Sequence, residues 1–206
     1  MMNKTKDNLT RIQSERRDEI LEAALEIFSK NGYRGASINK IADAANMSTP
    51  RLLYHFNGKE KLYSELLTSA LSLWIEPLER IGDTDDAVEE ICAYVRRKLQ
   101  ISKDYPRESR LFASEILVGI ERAEDSIFEP LHEVFNAKMA LLNEWSATGK
   151  LASVDPYHLI YSIWATTQHY ADFDAQIRML SPDKMDVLFE EAEAFLIPMY
   201  SKMLTP

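Results

Sequence analysis

From Ser14 to Met203 the apolar residues return every three or four positions, and the rhythm breaks at short stretches of Gly, Asn, Asp, Ser and Pro. A period near 3.6 residues marks helices that hide one face, whereas half-buried strands alternate with a period of two. Helical spacing runs through almost the whole chain, so the fold class expected is all-α, with about nine helices. The 6 glycines and 8 prolines among 206 residues are few for a fold of short strands and tight turns.

The breaks carry start and stop signals. Ser14 is a candidate N-cap for a helix to Lys30 that presents Ile20, Leu21, Ala24, Leu25 and Phe28 on one face. Residues 1–13 ahead of it are polar and read as a loose, disordered tail. Asn31-Gly32 stops the helix, and Gly32 suits the left-handed backbone that follows a helix end. Ser37 then caps a helix of two turns carrying Ile38, Ile41, Ala42 and Ala45. Asn46 supplies a tight turn, because asparagine tolerates left-handed backbone. The next helix starts at Ser48 or Thr49, with Pro50 tolerated in its first turn, and runs through Arg51, Leu52, Leu53, Tyr54 and His55.

Asn57 and Glu60 are spaced as a capping box for a fourth helix with Leu62, Leu66, Ala70, Leu73 and Trp74 inside, ended or kinked at Pro77. Amphipathic segments follow at 86–103 and 108–120, separated by Asp104-Tyr105-Pro106. Ser126 with Glu129 forms a second capping-box candidate for a helix that stops at Gly149. Asp155-Pro156 opens a helix to Phe173, and Ser181-Pro182 repeats that signal for a last helix to Met203. The domain reading is a helix-turn-helix over 14–62 and a helical body over 63–206.

Several function classes fall away on composition. The one cysteine, Cys92, excludes an internal disulfide framework and a cysteine-rich zinc site, and reads as a buried thiol of a reducing compartment. No stretch has the apolar length of a membrane span and the N-terminus has no signal-like apolar core, so a cytoplasmic protein is expected. The net charge of −9 argues against nucleic acid until its distribution is read. Residues 1–62 hold 11 Lys and Arg against 8 Asp and Glu, a net +3, while the remainder holds 13 against 25, a net −12. A basic head on an acidic body is the pattern of a chain with a polyanionic partner at one end.

Two short helices around a tight turn, flanked by longer helices, make a helix-turn-helix, whose second short helix can put its first residues at base edges in a major groove. Ser37-Ile38-Asn39-Lys40-Ile41-Ala42-Asp43-Ala44-Ala45-Asn46-Met47-Ser48, then Leu52-Leu53-Tyr54-His55-Phe56, then Lys59-Glu60-Lys61-Leu62, resemble the signature of TetR-type repressors. The resemblance implies that Ser48, Thr49, Pro50 and Arg51 begin the recognition helix, with Arg51 able to pair with guanine O6 and N7. It also implies backbone contacts from Tyr54 and His55 and phosphate contacts from Ser37, Lys40 and Lys59. Two positions depart from the pattern: Asn46 stands where the family usually has Gly, and Leu53 where it often has Tyr, so one phosphate contact is in doubt.

In the body, Trp164 and Gln168 are four apart on one helix face, with Tyr161 and Thr167 beside them. An aromatic wall with one amide suits a flat polar heterocycle. Trp74 with Leu78, and Phe112 in the segment after Tyr105-Pro106, complete the candidate ligand set. Each of these residues also has a plain core reading, and His158 and His169 are too scattered for a metal site, so no metal or cofactor is expected. Lys103-Asp104-Tyr105-Pro106, Ser109-Arg110-Leu111-Phe112 and the run Ile163–Phe173 are similar to a pyrimidine-responsive branch of the same family. That similarity implies a uracil- or thymine-type effector and a homodimer through helices at 156–173 and 182–203. The partners expected are therefore double-stranded palindromic operator DNA, a small-molecule effector and a second copy of the chain. Other readings stay open: a different aromatic or hydrophobic effector, a non-DNA adaptor of the same fold, or an enzyme in the helical body. No nucleophile–base–acid set supports the last, so a non-enzymatic protein is expected.

Overall fold

Helix boundaries lie where a side chain or a special backbone conformation satisfies or releases the terminal amide groups. The computed structural model describes residues 2–120 and 128–206, and no strand occurs among them. The first helices are α1 (Met2–Gly35), α2 (Ile38–Ala44), α3 (Thr49–His55), α4 (Lys59–Glu79) and α5 (Ala87–Asp104). They are followed by α6 (Pro106–Leu117), α7 (Glu129–Ala147), α8 (Pro156–Asp172), α9 (Asp174–Leu180) and α10 (Leu188–Leu204).

The caps explain most of these limits. Ser37 Oγ accepts from Lys40 N at 3.2 Å and starts α2. Asp155 Oδ1 accepts from Tyr157 N and His158 N at 2.9 and 3.1 Å and starts α8, with Pro156 at its first position. Asn46 has φ 52, the left-handed turn expected of it between α2 and α3. Gly149 closes α7 at φ 73.

Other limits differ from the sequence reading. Helix α1 reaches back to Met2 where a loose tail over 1–13 is expected, since adding turns to an existing helix is far easier than nucleating one. Gly32, at φ 63, breaks its helical geometry near the far end. Asn57 is not the cap of α4: Gly58 accepts the first helical bond, from Leu62 N at 3.4 Å, which puts Glu60 at the second helical position rather than the third. Pro77 lies within α4, which continues to Glu79. Helix α6 spans Pro106–Leu117, followed by Gly119 at φ 90 and Ile120 at φ 61. Ser181-Pro182 opens only a 3-10 turn, Pro182–Lys184, and the last helix starts later, at Leu188. Between α8 and that turn lies α9, which has no buried residue and therefore leaves little apolar periodicity to read. Ser126, half of the second capping-box candidate, lies outside the described residues.

The chain divides into two units. The first runs to Ala70 and is joined by a segment starting at Leu111; the second holds Leu71–Arg110 and the C-terminal part. This departs from a boundary at 62, because Leu66, Leu67 and Leu111 are buried with the head. Its core combines Ile20, Ala24 and Phe28 with Ile41, Leu52, Phe56, Leu62 and Tyr63. Phe28, Tyr33 and Tyr63 stack and abut with centroids 4.8–6.1 Å apart. Arg17 ties the unit together, donating to His55 O at 2.9 Å and to both carboxylate oxygens of Glu65 at 2.8 Å.

The second unit is organised around α5, whose Ile91, Tyr94, Val95 and Leu99 pack with Leu159, Ile160 and Ile163 of α8 and Ala192, Leu196 and Tyr200 of α10. Met139, Leu142 and Trp145 of α7 join this core, and Trp145 Nε1 donates to Asp83 Oδ1 at 3.2 Å. Cys92 is buried here as a free thiol.

The left-handed backbone at residue 46 sets a stability expectation. Asn46→Val should cost about 1–2 kcal/mol, since a β-branched residue is strained there, and Asn46→Gly should change stability by less than about 0.5 kcal/mol. Urea unfolding midpoints of the two variants check this.

Candidate functional site

A helix can read a groove only if one face is held by the core while the other is bare. Helix α3 meets that condition: Leu52 is fully buried and Phe56 nearly so, whereas Arg51 is exposed and Tyr54 is 78% exposed. Ser48, exposed just before the helix, makes no side-chain cap, and its carbonyl accepts from Arg51 N and Leu52 N at 3.0 and 3.1 Å. Pro50, also exposed, fills the first turn where an amide N–H has no partner. Thr49 Oγ1 donates to Asn39 Oδ1 at 3.0 Å and thereby pins the start of α3 to α2.

Leu53, where the resemblance raises a doubt about phosphate contact, is 45% exposed on the same outward side as Tyr54. An aliphatic side chain there offers contact area but no donor.

Among the expected phosphate-contacting residues, several already have internal work. Ser37 Oγ is occupied as a cap, and Lys40 Nζ donates to Gly35 O at 3.1 Å. Lys59 Nζ donates to Ala36 O at 2.9 Å and stands 4.1 Å above the Tyr33 ring. An ammonium has three donors, so this bond orients Lys59 and leaves capacity for an anion. His55 is half-buried, with its carbonyl taken by Arg17 and its ring edge-on to Tyr54. The surface thus carries a guanidinium, hydroxyls, a phenol and oriented ammoniums beside the start of a helix, which is chemistry suited to a phosphate backbone and base edges.

The candidate ligand residues do not form one group. Tyr161 and Trp164 line a surface groove of about 320 Å³ with Leu131, His132, Phe135 and Asn136 of α7. Phe135 lies 6.1 Å from Tyr161 and 5.8 Å from Trp164, centroid to centroid. The Trp164 indole N–H is already spent, donating to Tyr94 Oη at 2.7 Å, and burial pushes that phenol's pKa upward. Thr167 is fully buried with its hydroxyl returned to Ile163 O at 2.7 Å. Gln168 is half-buried on the same helix, Leu78 is part of the apolar core, and Phe112 falls in the first unit.

Trp74 belongs to a different setting. Lys98 Nζ stands 3.0 Å from the centroid of its ring, and Lys98 is completely buried without a hydrogen-bond partner for its amine. Ser102, one turn further along α5, is also buried with an unpartnered hydroxyl. Asp172, at the end of α8, accepts from Ser109 Oγ at 2.5 Å and attracts Lys98 electrostatically without bonding to it. Burial holds the Lys98 ammonium well below the usual lysine range against that attraction, and burial likewise raises the Asp172 carboxyl. Lys98 and Ser102 fall outside the candidate set read from the sequence. The available signal was positional, since both share the spacing of the buried face made by Ile91, Tyr94, Val95 and Leu99.

Residues 20–66 match the profile described as bacterial regulatory proteins, tetR family, and residues 67–206 match that of the YcdC-like protein C-terminal region. The HTH-type transcriptional regulator RutR of Escherichia coli K12 is 40% identical over 178 residues, covering 86% of this chain and 84% of its own. The fold matches AibR in complex with isovaleryl coenzyme A and operator DNA, at TM-score 0.73 and 22% identity over 89% of this chain and 97% of that one. It also matches the ketosteroid regulator KstR2 of Mycobacterium tuberculosis, at TM-score 0.71 and 17% identity over 93% and 95%.

Lys98 carries a stability consequence with a definite sign. Its folded pKa lies below its unfolded value, so the unfolded chain binds the extra proton and this group's penalty is largest at low pH, fading as pH rises toward the unfolded value. Lys98→Met should therefore be more stable than the parent by about 1 kcal/mol or more at pH 7, with a smaller gain at pH 10. Urea unfolding at the two pH values measures it.

Proposed function

The chain belongs to the tetR family of bacterial regulatory proteins, and from that premise we propose that it is a repressor, acting as a homodimer on a palindromic operator and released by a small planar effector of the uracil or thymine type. The observation that carries the DNA part is α3, which buries Leu52 and Phe56 and turns Arg51 and Tyr54 outward behind a phosphate-ready start. The effector type rests on the similarity of 103–112 and 163–173 to a pyrimidine-responsive regulator. AibR, of the same fold, binds an acyl-coenzyme A together with operator DNA, which supports the idea that this architecture can serve both partners.

The dimer is proposed to form through α8 and α10. On α10, Phe195, Met199 and Met203 are exposed at four-residue spacing, at 66%, 37% and 42%, and an apolar stripe of this kind is covered by a partner in most soluble proteins. Two-fold symmetry then sets two α3 helices one DNA turn apart. Coupling runs through α4, a single helix that starts at Lys59 and carries Trp74 near its other end. An effector that binds better to one tilt of α4 shifts the pair of α3 helices out of register and lowers operator affinity. The chain is read as non-enzymatic.

Fluorescence anisotropy with DNA from upstream of its own gene, across a salt series, tests the proposal. Affinity should fall steeply with salt, as counterions are released, and drop on addition of uracil or thymine. Arg51→Ala should relax preference at one base pair by roughly 10-fold, whereas Lys59→Ala should weaken all sequences alike. Equal losses on random and upstream DNA for both variants contradict these roles. For the dimer, Phe195→Glu should give a monomer in sedimentation with weakened operator binding; an unchanged dimer rejects the α10 interface.

A further inference from the structure

We propose that Lys98 and Ser102 of α5 are the effector-recognition pair, donating hydrogen bonds to an oxygen acceptor, carbonyl or carboxylate, of a small flat ligand held beside Trp74. This deepens the regulator reading above and rests on it.

The reasoning starts from the cost of the arrangement. A buried polar group without a partner loses its hydration and receives nothing in return, and two such groups one helical turn apart are harder to explain than one. Lys98 is 0% and Ser102 1% exposed, and neither Nζ nor Oγ has a partner. Residues four apart on a helix lie side by side on one face, so the two donors converge. The Trp74 face attracts the ammonium from one side at 3.0 Å, which satisfies its charge in part but accepts none of its N–H bonds fully.

The surroundings select the ligand's chemistry. An amine and a hydroxyl together donate to an oxygen, and the hydroxyl can also accept from a neighbouring ring N–H. Asp172 is engaged by Ser109 Oγ and faced by Arg110, whose Nη1 donates to Ala171 O at 3.1 Å, so that carboxylate is held by its own donors. The amine is left for an incoming acceptor. Indole beside it favours a flat, unsaturated ligand. A pyrimidinedione and an aromatic carboxylate share this oxygen chemistry.

The geometry also supplies a link to the mechanism. Lys98 and Ser102 are fixed on α5, the core strut of the second unit, whereas Trp74 is on α4. A ligand bound to the fixed pair and touching Trp74 gains affinity only in the α4 position that presents the ring to it, and that is the differential contact a population shift requires.

Isothermal titration of the full-length protein with uracil, thymine and benzoate in turn tests the assignment. At least one probe should bind the parent protein with a Kd below about 1 mM. For that probe, Lys98→Met should weaken binding about 30-fold and Ser102→Ala about 5-fold, with melting temperatures no lower than the parent's for Lys98→Met. Uracil or thymine binding identifies a pyrimidinedione; benzoate alone identifies a carboxylate. The assignment is overturned if none of the three binds the parent, or if the bound probe keeps its affinity in Lys98→Met. Should Lys98→Met fail to fold, an unchanged Kd in Ser102→Ala overturns it equally. Operator release by a probe in both parent and Lys98→Met would remove Lys98 from the site and leave the regulator standing. Failure of the parent to retain upstream DNA at low salt would remove the regulator reading itself.

Discussion

The second unit depends on the burial of α5. Ile91, Tyr94, Val95 and Leu99 give α8 and α10 a common surface to close on, and at about 25 cal/mol per Å² of apolar area such burial is what offsets the entropy of ordering the helices. The same burial makes any polar residue on that face expensive. Lys98 and Ser102 bear that expense in full, and Tyr94 avoids it by accepting the Trp164 indole N–H. A helix whose apolar face is interrupted by an amine and a hydroxyl trades packing for recognition.

The first unit treats its charges differently. Arg17 is committed to Glu65 and the His55 carbonyl and lies over the Phe56 ring at 4.2 Å, so it acts as a clamp on the end of α3. Lys59 and Lys40 orient on the Ala36 and Gly35 carbonyls, at the link between α1 and α2. The cations nearest the helix-turn-helix therefore hold its shape as well as supplying positive potential. This is how a head with a net charge of only +3 can present an ordered basic surface.

Legibility in the sequence followed the range of the interaction involved. Ser37, Asn46, Gly149 and Asp155 were readable because a cap or a left-handed turn is settled by atoms within a few residues. The capping box at Asn57 failed by one position, since Gly58 with φ 96 could take the turn and accept the first helical bond itself. Helix α9 left little trace because all its side chains face outward or halfway. Among site residues, Arg51 and Tyr54 followed from the motif, but the ligand set did not hold as one group. Trp164 spends its indole on Tyr94 across 70 positions in the chain, and no local pattern announces such a partner.

What the sequence determined by itself was the class of fold, the helix-turn-helix with its turn at Asn46, and the outward side of α3, all consequences of periodicity and short-range hydrogen bonding. Only the tertiary structure decided that Leu111 belongs with the head, that Trp74 meets Lys98 while Tyr161 and Trp164 line a groove with α7, and which polar groups go without partners. The physical reason is that desolvation and partnership belong to the packed whole. A lysine's place in a helical stripe says which way it points, but its cost and its use depend on residues brought to it from elsewhere in the chain.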